Sequence, residues 1–160
     1  MMIQTNDRNI AYITDEVQEM PEEKKKPGLT RGRGEVILAI EDEEMLRDVL
    51  SMILIENGYK VIFAADGREG LQIYMERMNE IDLVLLDMGL PGMSGDEVLS
   101  KIVSTSPNAK VISVSGSVDP DVQAGALQMG AADYLPKPYM MGDLLLKVDR
   151  TLRGRAHSTI

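Results

Sequence analysis

The sequence predicts a doubly wound α/β domain built on a parallel sheet covered on both faces. Five short apolar runs alternate with five segments of helical spacing. The first and third runs are apolar throughout, as strands buried on both faces are. Polar residues able to do chemistry recur where these runs end. The length of 160 residues suits one domain with a single core.

The elements follow in order. Val36–Ile40 is a continuous apolar run and the first strand. Residues 43–57 carry helical spacing through Leu46, Val49, Leu50, Ile53 and Leu54 and stop at Asn57-Gly58. Tyr59–Ala64 is the second strand, and Gly67–Met78 the second helix through Leu71, Tyr74, Met75 and Met78. Asp82–Leu86 is the third strand, followed by the loop Gly89–Gly95 and a helix near 96–105. Lys110–Val114 is the fourth strand. Asp119-Pro120 opens the next helix, with an acid before a proline in the first turn, and Met129-Gly130 closes it. Ala132–Leu135 is the fifth strand, and Met140–Leu152 the last helix, with Leu144, Leu145, Val148 and Leu152 on one face. The methionines, twelve in all, fall mostly at core-like helical spacing and are read as packing. Right-handed crossovers leave few topologies, and the pattern alone does not choose between the two common strand orders.

Residues 1–34 differ in character. They hold six acids and six bases, and a charged block bounded by Pro21 and Pro27 precedes Gly28, Gly32 and Gly34. This composition reads as a flexible arm or linker, with residues 35–153 as the domain and 154–160 as a tail. Ile10, Ile13, Val17 and Met20 recur at helical spacing, so Asn9–Met20 is expected to be able to form a short amphipathic helix.

Composition excludes several chemistries. Twenty-six acidic residues against 17 basic ones give a net charge of −9, all of it from residue 35 onward. That balance disfavours direct, sequence-independent nucleic-acid binding. The absence of cysteine removes disulfides, thiolate metal sites and cysteine nucleophiles. The one histidine, His157, is expected to be a solvated tail residue, which leaves no multi-histidine metal site. No apolar run approaches the roughly 18–20 residues of a membrane span. The N-terminus lacks a secretory pattern, so a cytoplasmic setting is expected.

In open parallel sheets, reactive groups gather beyond the carboxyl ends of the strands. There the sequence places Glu41 and Asp42, Asp87, Ser115 and Lys137 after the first, third, fourth and fifth strands. Three carboxylates on one rim repel unless a cation joins them. With oxygen ligands only, the cation expected is Mg²⁺, with Asp42 and Asp87 as direct ligands and Glu41 acting through water. The competing role for Asp42 is to cap the next helix. Asp87 can be a nucleophile toward a metal-held phosphoryl group. Ser115 and Lys137 supply a hydroxyl and a cation for its oxygens, and Pro136 and Pro138 restrict the backbone on both sides of Lys137.

These residues resemble the receiver domain of two-component response regulators. The resemblance is carried by Ile37–Glu43, Leu83–Gly95, Val111–Gly116 and Gly130–Tyr139, and spans about residues 35–153. It implies a flavodoxin-like fold with strand order 2-1-3-4-5. It implies that Asp87 accepts a phosphoryl group from a phosphohistidine on a sensor kinase or phosphotransfer protein. Glu41 and Asp42 match the metal-binding acids, the Gly89 carbonyl a further ligand, Ser115 the switch hydroxyl, Tyr134 the switch aromatic and Lys137 the phosphate-pairing lysine. On phosphorylation Ser115 would approach the phosphoryl group and Tyr134 would turn inward, reshaping a partner-binding face. Three positions depart from the commoner pattern. Ser115 replaces threonine, Gly116 replaces alanine, and Gly89 offers no side chain to direct or block a hydrolytic water.

No output module is expected within the chain. It reads either as a stand-alone receiver, monomeric or dimerising on phosphorylation, or as a receiver excised from a hybrid kinase. A Mg²⁺-dependent aspartyl-phosphate phosphohydrolase would need a second Asp two residues after the nucleophile, where Gly89 stands. In a nucleotide-binding module the glycines follow the first strand, whereas Gly32 and Gly34 precede it. A pseudo-receiver would not be expected to keep the whole rim.

Overall fold

The structure is a computed structural model that describes residues 4–6, 10–12 and 31–154. In chain order the strands are β1 (Gln4–Asn6), β2 (Ile10–Tyr12), β3 (Val36–Ile40), β4 (Lys60–Ala64), β5 (Leu83–Asp87), β6 (Val111–Ser115) and β7 (Asp133–Pro136). The helices are α1 (Glu44–Glu56), α2 (Gly67–Arg77), α3 (Gly95–Thr105), α4 (Pro120–Gln128) and α5 (Met141–Leu152). The sheet runs β1-β2-β4-β3-β5-β6-β7. Its last five strands are parallel, in the order second, first, third, fourth, fifth, as the resemblance implies.

Alternation along the buried strands divides the core in two. Leu38, Ile40, Ile62, Val84 and Leu86 point to the face covered by α2, α3 and α4, where Tyr74, Val98, Leu99, Ile102 and Ala126 meet them. Ile37, Ala39, Val61, Leu83 and Leu85 point to the face covered by α1 and α5, against Leu50, Leu54, Leu144, Leu145 and Val148. Each large aliphatic side chain fully removed from water contributes roughly 1.5–3 kcal/mol.

Side-chain caps set several helix starts. Asp66 accepts the Glu69 amide at 2.8 Å, Ser94 accepts that of Glu97 at 3.2 Å, and Asp119 accepts that of Asp121 at 2.9 Å, just ahead of Pro120 at the first turn. Helix α4 is the least embedded: of its nine residues only Ala126 is buried.

Three expectations need correction. Ile10–Tyr12 is a strand and not part of a helix; residues 9 and 13–20 lie outside the described residues. The parallel sheet therefore carries two further antiparallel strands, with β2 laid along β4 through the pair Ile10 and Ile62. Without β2, β4 would present an edge of unpaired amides and carbonyls, and such an edge readily accepts another strand. On α1, Leu50 and Leu54 take the core face, so Val49 is 49% exposed instead of packed. The methionines are not all core: Met45 and Met52 fall on the same outer stripe of α1 as Val49, and Met140 and Met141 are exposed at the start of α5. His157 lies outside the described residues.

Residues 31–35 are tied to the domain. The Gly32 amide donates to the Asn57 carbonyl at 2.8 Å, and that of Gly34 to Gly58 at 2.9 Å. Gly32 packs so closely on Tyr59 that a Cβ there would come within 2.6 Å of the ring. The Arg153 guanidinium reaches Glu35 at 2.6 Å and Asp149 at 3.3 Å, joining this segment to α5.

Candidate functional site

The rim is assembled by strand ends. Glu41 follows β3 directly, and its amide donates to the Ala64 carbonyl at the end of β4. Asp87 is the last residue of β5, Ser115 the last of β6, and Lys137 follows β7. Lys137 is held from below, its amide donating to the Ser115 carbonyl at 2.7 Å, and the Lys137–Pro138 peptide is cis. Gly95 lets α3 start directly behind the end of β5, because a Cβ there would sit 2.5 Å from Met88 Cα and 2.9 Å from the Asp87 carbonyl oxygen.

One ammonium serves two buried carboxylates. Lys137 Nζ lies 3.0 Å from Glu41 Oε2 and 3.1 Å from Asp87 Oδ2, with Glu41 3% and Asp87 7% exposed. The other oxygens take backbone donors: Glu41 Oε1 accepts the Glu43 amide at 3.1 Å, and Asp87 Oδ1 the Gly89 amide at 2.8 Å. Burial raises the Glu41 carboxyl above its ordinary value, and the Asp87 charge adds to this, against the opposing pull of the Glu43 amide and Lys137. Burial alone would lower Lys137. Its bonds to Glu41 and Asp87 outweigh that, so its ammonium is held above the ordinary lysine value.

Glu41, Asp42 and Asp87 each offer a carboxylate oxygen, and these three oxygens lie within 4.8 Å of one another. Asp42 does not cap α1: the residue before that helix is Glu43, and no side chain closes its first turn. The Asp42 carboxylate is exposed and accepts no hydrogen bond among the described residues, and the Gly89 carbonyl is equally uncommitted. An all-oxygen set with two oxygens free suits a hard divalent cation such as Mg²⁺.

The remaining predicted residues are nearby but differently engaged. Ser115 Oγ accepts the Ser117 amide at 3.1 Å. Tyr134 is 2% exposed, so its ring lies inward, and its hydroxyl donates to the Ser117 carbonyl at 2.7 Å.

Two participants were not legible in advance. Tyr139 shares with Glu41 and Asp87 the wall of a void of about 10 Å³ beneath the acids. Burial, with the charges of Glu41 and Asp87, raises its phenol. Arg47, on the first turns of α1, sends Nη1 back to the carbonyls of Glu41 at 2.8 Å and Asp42 at 3.0 Å. The position of Tyr139 just after Lys137-Pro138 could have pointed to it; nothing in the local pattern marks Arg47.

A doubly wound sheet with a lysine-bridged acid cluster at the carboxyl ends of its strands carries its polar groups where open α/β sheets bind ligands. The family model of the response regulator receiver domain matches residues 37–149, and the chain belongs to that family. Among solved structures, it is similar to a response regulator receiver domain protein from Clostridium thermocellum (TM-score 0.72, 33% identity, covering 76% of this chain and 96% of that one). It is similar also to a CheY-like receiver domain protein from Methanospirillum hungatei JF-1 (TM-score 0.69, 34% identity, 76% and 95%). Among curated relatives, response regulator MprA of Mycolicibacterium vanbaalenii is 33% identical over 117 residues, covering 73% of this chain and 50% of that protein. A cyclic di-GMP phosphodiesterase of Thermotoga maritima is 32% identical over 119 residues, 74% of this chain and 31% of that protein. The chain thus spans half or less of the length of these two relatives. Among the described residues, no helix is long and apolar enough to cross a membrane.

Proposed function

We propose that this chain is a phosphoacceptor of a two-component phosphorelay, with residues 35–153 as the working domain and Asp87 as the acceptor. The observation that carries this reading is the single Lys137 ammonium shared between Glu41 and Asp87 at 3.0 and 3.1 Å. An Asp87 oxygen attacks the phosphorus of a phosphohistidine on a sensor kinase or phosphotransfer protein. The P–N bond breaks, and the donor imidazole keeps the electron pair and takes a proton from solvent. Asp42, Asp87 and the Gly89 carbonyl would hold Mg²⁺ directly and Glu41 through water. Bound there, the ion supplies charge neutralisation for the transferring phosphoryl oxygens. Lys137 pairs with one of those oxygens and Ser115 donates to another. The same groups serve hydrolysis of the acyl phosphate, and the chain has no other enzymatic role.

The donor docks over the rim, where the exposed Met45 at the start of α1 and Met140 and Met141 at the start of α5 offer apolar surface. Polarisable, unbranched methionines adapt to an apolar helical partner. Downstream, the phosphoryl group draws Ser115 away from the Ser117 amide and reshapes the face around α4, β7 and α5 for a protein partner or a second copy. The setting is the cytoplasm, without direct nucleic-acid contact.

Intact mass after incubation with acetyl phosphate, with and without Mg²⁺, tests the acceptor. One phosphoryl adduct that requires both Mg²⁺ and Asp87, and is absent from Asp87→Asn, is expected. Failure to form either this adduct or a beryllofluoride complex would sink the reading.

A further inference from the structure

Asp42 is the most weakly held of the three acids. Its side chain is exposed, and the one hydrogen bond that any of its atoms makes among the described residues is accepted by its carbonyl, from Arg47. The loop carrying it also lacks the usual support. Helix α1 begins without a side-chain cap, and the amide of Glu43, the residue just before it, donates to Glu41 Oε1.

Arg47 fills this gap from the far side of the first turn. Its Nη1 reaches the Glu41 carbonyl at 2.8 Å and the Asp42 carbonyl at 3.0 Å, while its own amide closes the helix onto the Glu43 carbonyl at 3.0 Å. One nitrogen therefore grips two consecutive carbonyls, fixing the peptide units on both sides of the Asp42 Cα. Those two peptides set the direction in which the Asp42 side chain leaves the loop. The guanidinium is planar and always charged, and it is the side chain best able to hold two acceptors in fixed relation. Among the described residues its side-chain hydrogen bonds are all to backbone carbonyls, and it forms no ion pair with a carboxylate.

We propose that Arg47 is a positioning residue that preorganises the β3–α1 loop, so that Asp42 meets a divalent cation without first having to order its backbone. This rests on the metal role given above to Asp42. Simple electrostatics makes the opposite forecast. A cation close to a divalent ion repels it, so removing Arg47 would tighten metal binding.

The test is Mg²⁺ titration by calorimetry on the full chain for the natural protein, Arg47→Met, Arg47→Lys and Asp42→Asn. It is paired with amide hydrogen exchange of residues 42–44 in metal-free protein. Arg47→Met is expected to weaken Mg²⁺ about tenfold or more, as loss of an outer-shell partner typically does, and to speed exchange at 42–44. Arg47→Lys, whose ammonium can serve one carbonyl, is expected to recover part of both, and it carries the test should Arg47→Met fail to fold. Mg²⁺ binding in Arg47→Met as tight as in the natural chain, or tighter, overturns the proposal. So does unchanged exchange at 42–44. A natural chain that binds no Mg²⁺, or binding that survives Asp42→Asn, overturns the metal reading itself and the metal role of Arg47 with it. That failure is distinct, because it appears without any change at position 47.

Discussion

The Tyr134 hydroxyl donates to the Ser117 carbonyl at 2.7 Å, so a buried ring on β7 pins the loop that leads from β6 into α4. The same residue, Ser117, gives its amide to Ser115 Oγ at 3.1 Å. One loop residue thus connects the hydroxyl at the rim to the aromatic on the neighbouring strand.

Tyr134→Phe keeps the ring and removes this tie. The loss expected is about 1 kcal/mol, the usual net worth of a hydrogen bond, read from urea unfolding. Amide exchange at residues 116–119 should quicken while that of the core strands stays unchanged; an unaltered loop would contradict the role given to the hydroxyl.

Ser113 lies beside Tyr134 in the β6–β7 pairing, is fully buried, and its Oγ has no hydrogen-bond partner among the described residues. An unpaired buried hydroxyl costs roughly 1–3 kcal/mol. Ser113→Ala removes it without adding volume and is expected to raise stability by about 1 kcal/mol. Denaturant midpoints of the two proteins decide the matter, and equal or lower stability of the variant would refute it.

Glu35 gives a pH signature. Burial would raise its carboxyl, but the Arg33 amide, its own amide and Arg153 together hold it below the ordinary 4.5. A depressed acid stabilises the fold at pH values above its unfolded-state value, and that contribution disappears as pH falls through the lower folded-state value. Unfolding free energy should therefore drop on acidification below about pH 4.5 more steeply in the natural chain than in Glu35→Gln. Parallel curves would show the Glu35–Arg153 pair to be idle. Tyr59, in the same cluster, is pushed up to about 12 by burial and then by the charges of Asp149 and Glu35, so it stays neutral across this range.

Gly58 ends α1 at φ +89°, and a Cβ on it would collide with the Gly32 carbonyl oxygen. Gly58→Ala carries about 1–2 kcal/mol from the left-handed backbone alone and more from that contact. It should also loosen residues 31–34. Thermal unfolding and limited proteolysis near Arg31 and Arg33 measure the two effects separately.

The core elements were legible because each run matched one period. Val36–Ile40 and residues 83–86 are apolar on both faces, and Asp119-Pro120 marks the start of α4. The rim was legible because strand ends converge in any parallel sheet, so Glu41, Asp87, Ser115 and Lys137 had to be neighbours once the fold was right. What escaped depends on contacts made at a distance. Ile10 and Ile13 sit at helical spacing, yet Ile10–Tyr12 pairs with an open strand edge that no local pattern announces. Val49 reads as core until Leu50 and Leu54 are seen to occupy that face. Arg47 looks like any charged helix residue, because what it binds is backbone.

Helix α4 rests on the sheet through one buried side chain, the methyl of Ala126. Its larger side chains, Val122 and Leu127, are 44% and 42% exposed, so freeing α4 gives up less apolar burial than peeling away α3, which buries Val98, Leu99 and Ile102. The domain is therefore mechanically uneven. Four helices are riveted to the sheet and one is loosely moored, so a disturbance arriving through the Ser115–Ser117 loop meets the least resistance there. On the function proposed above, a partner that grips α4 tightly would be felt at the rim by the same route, in reverse.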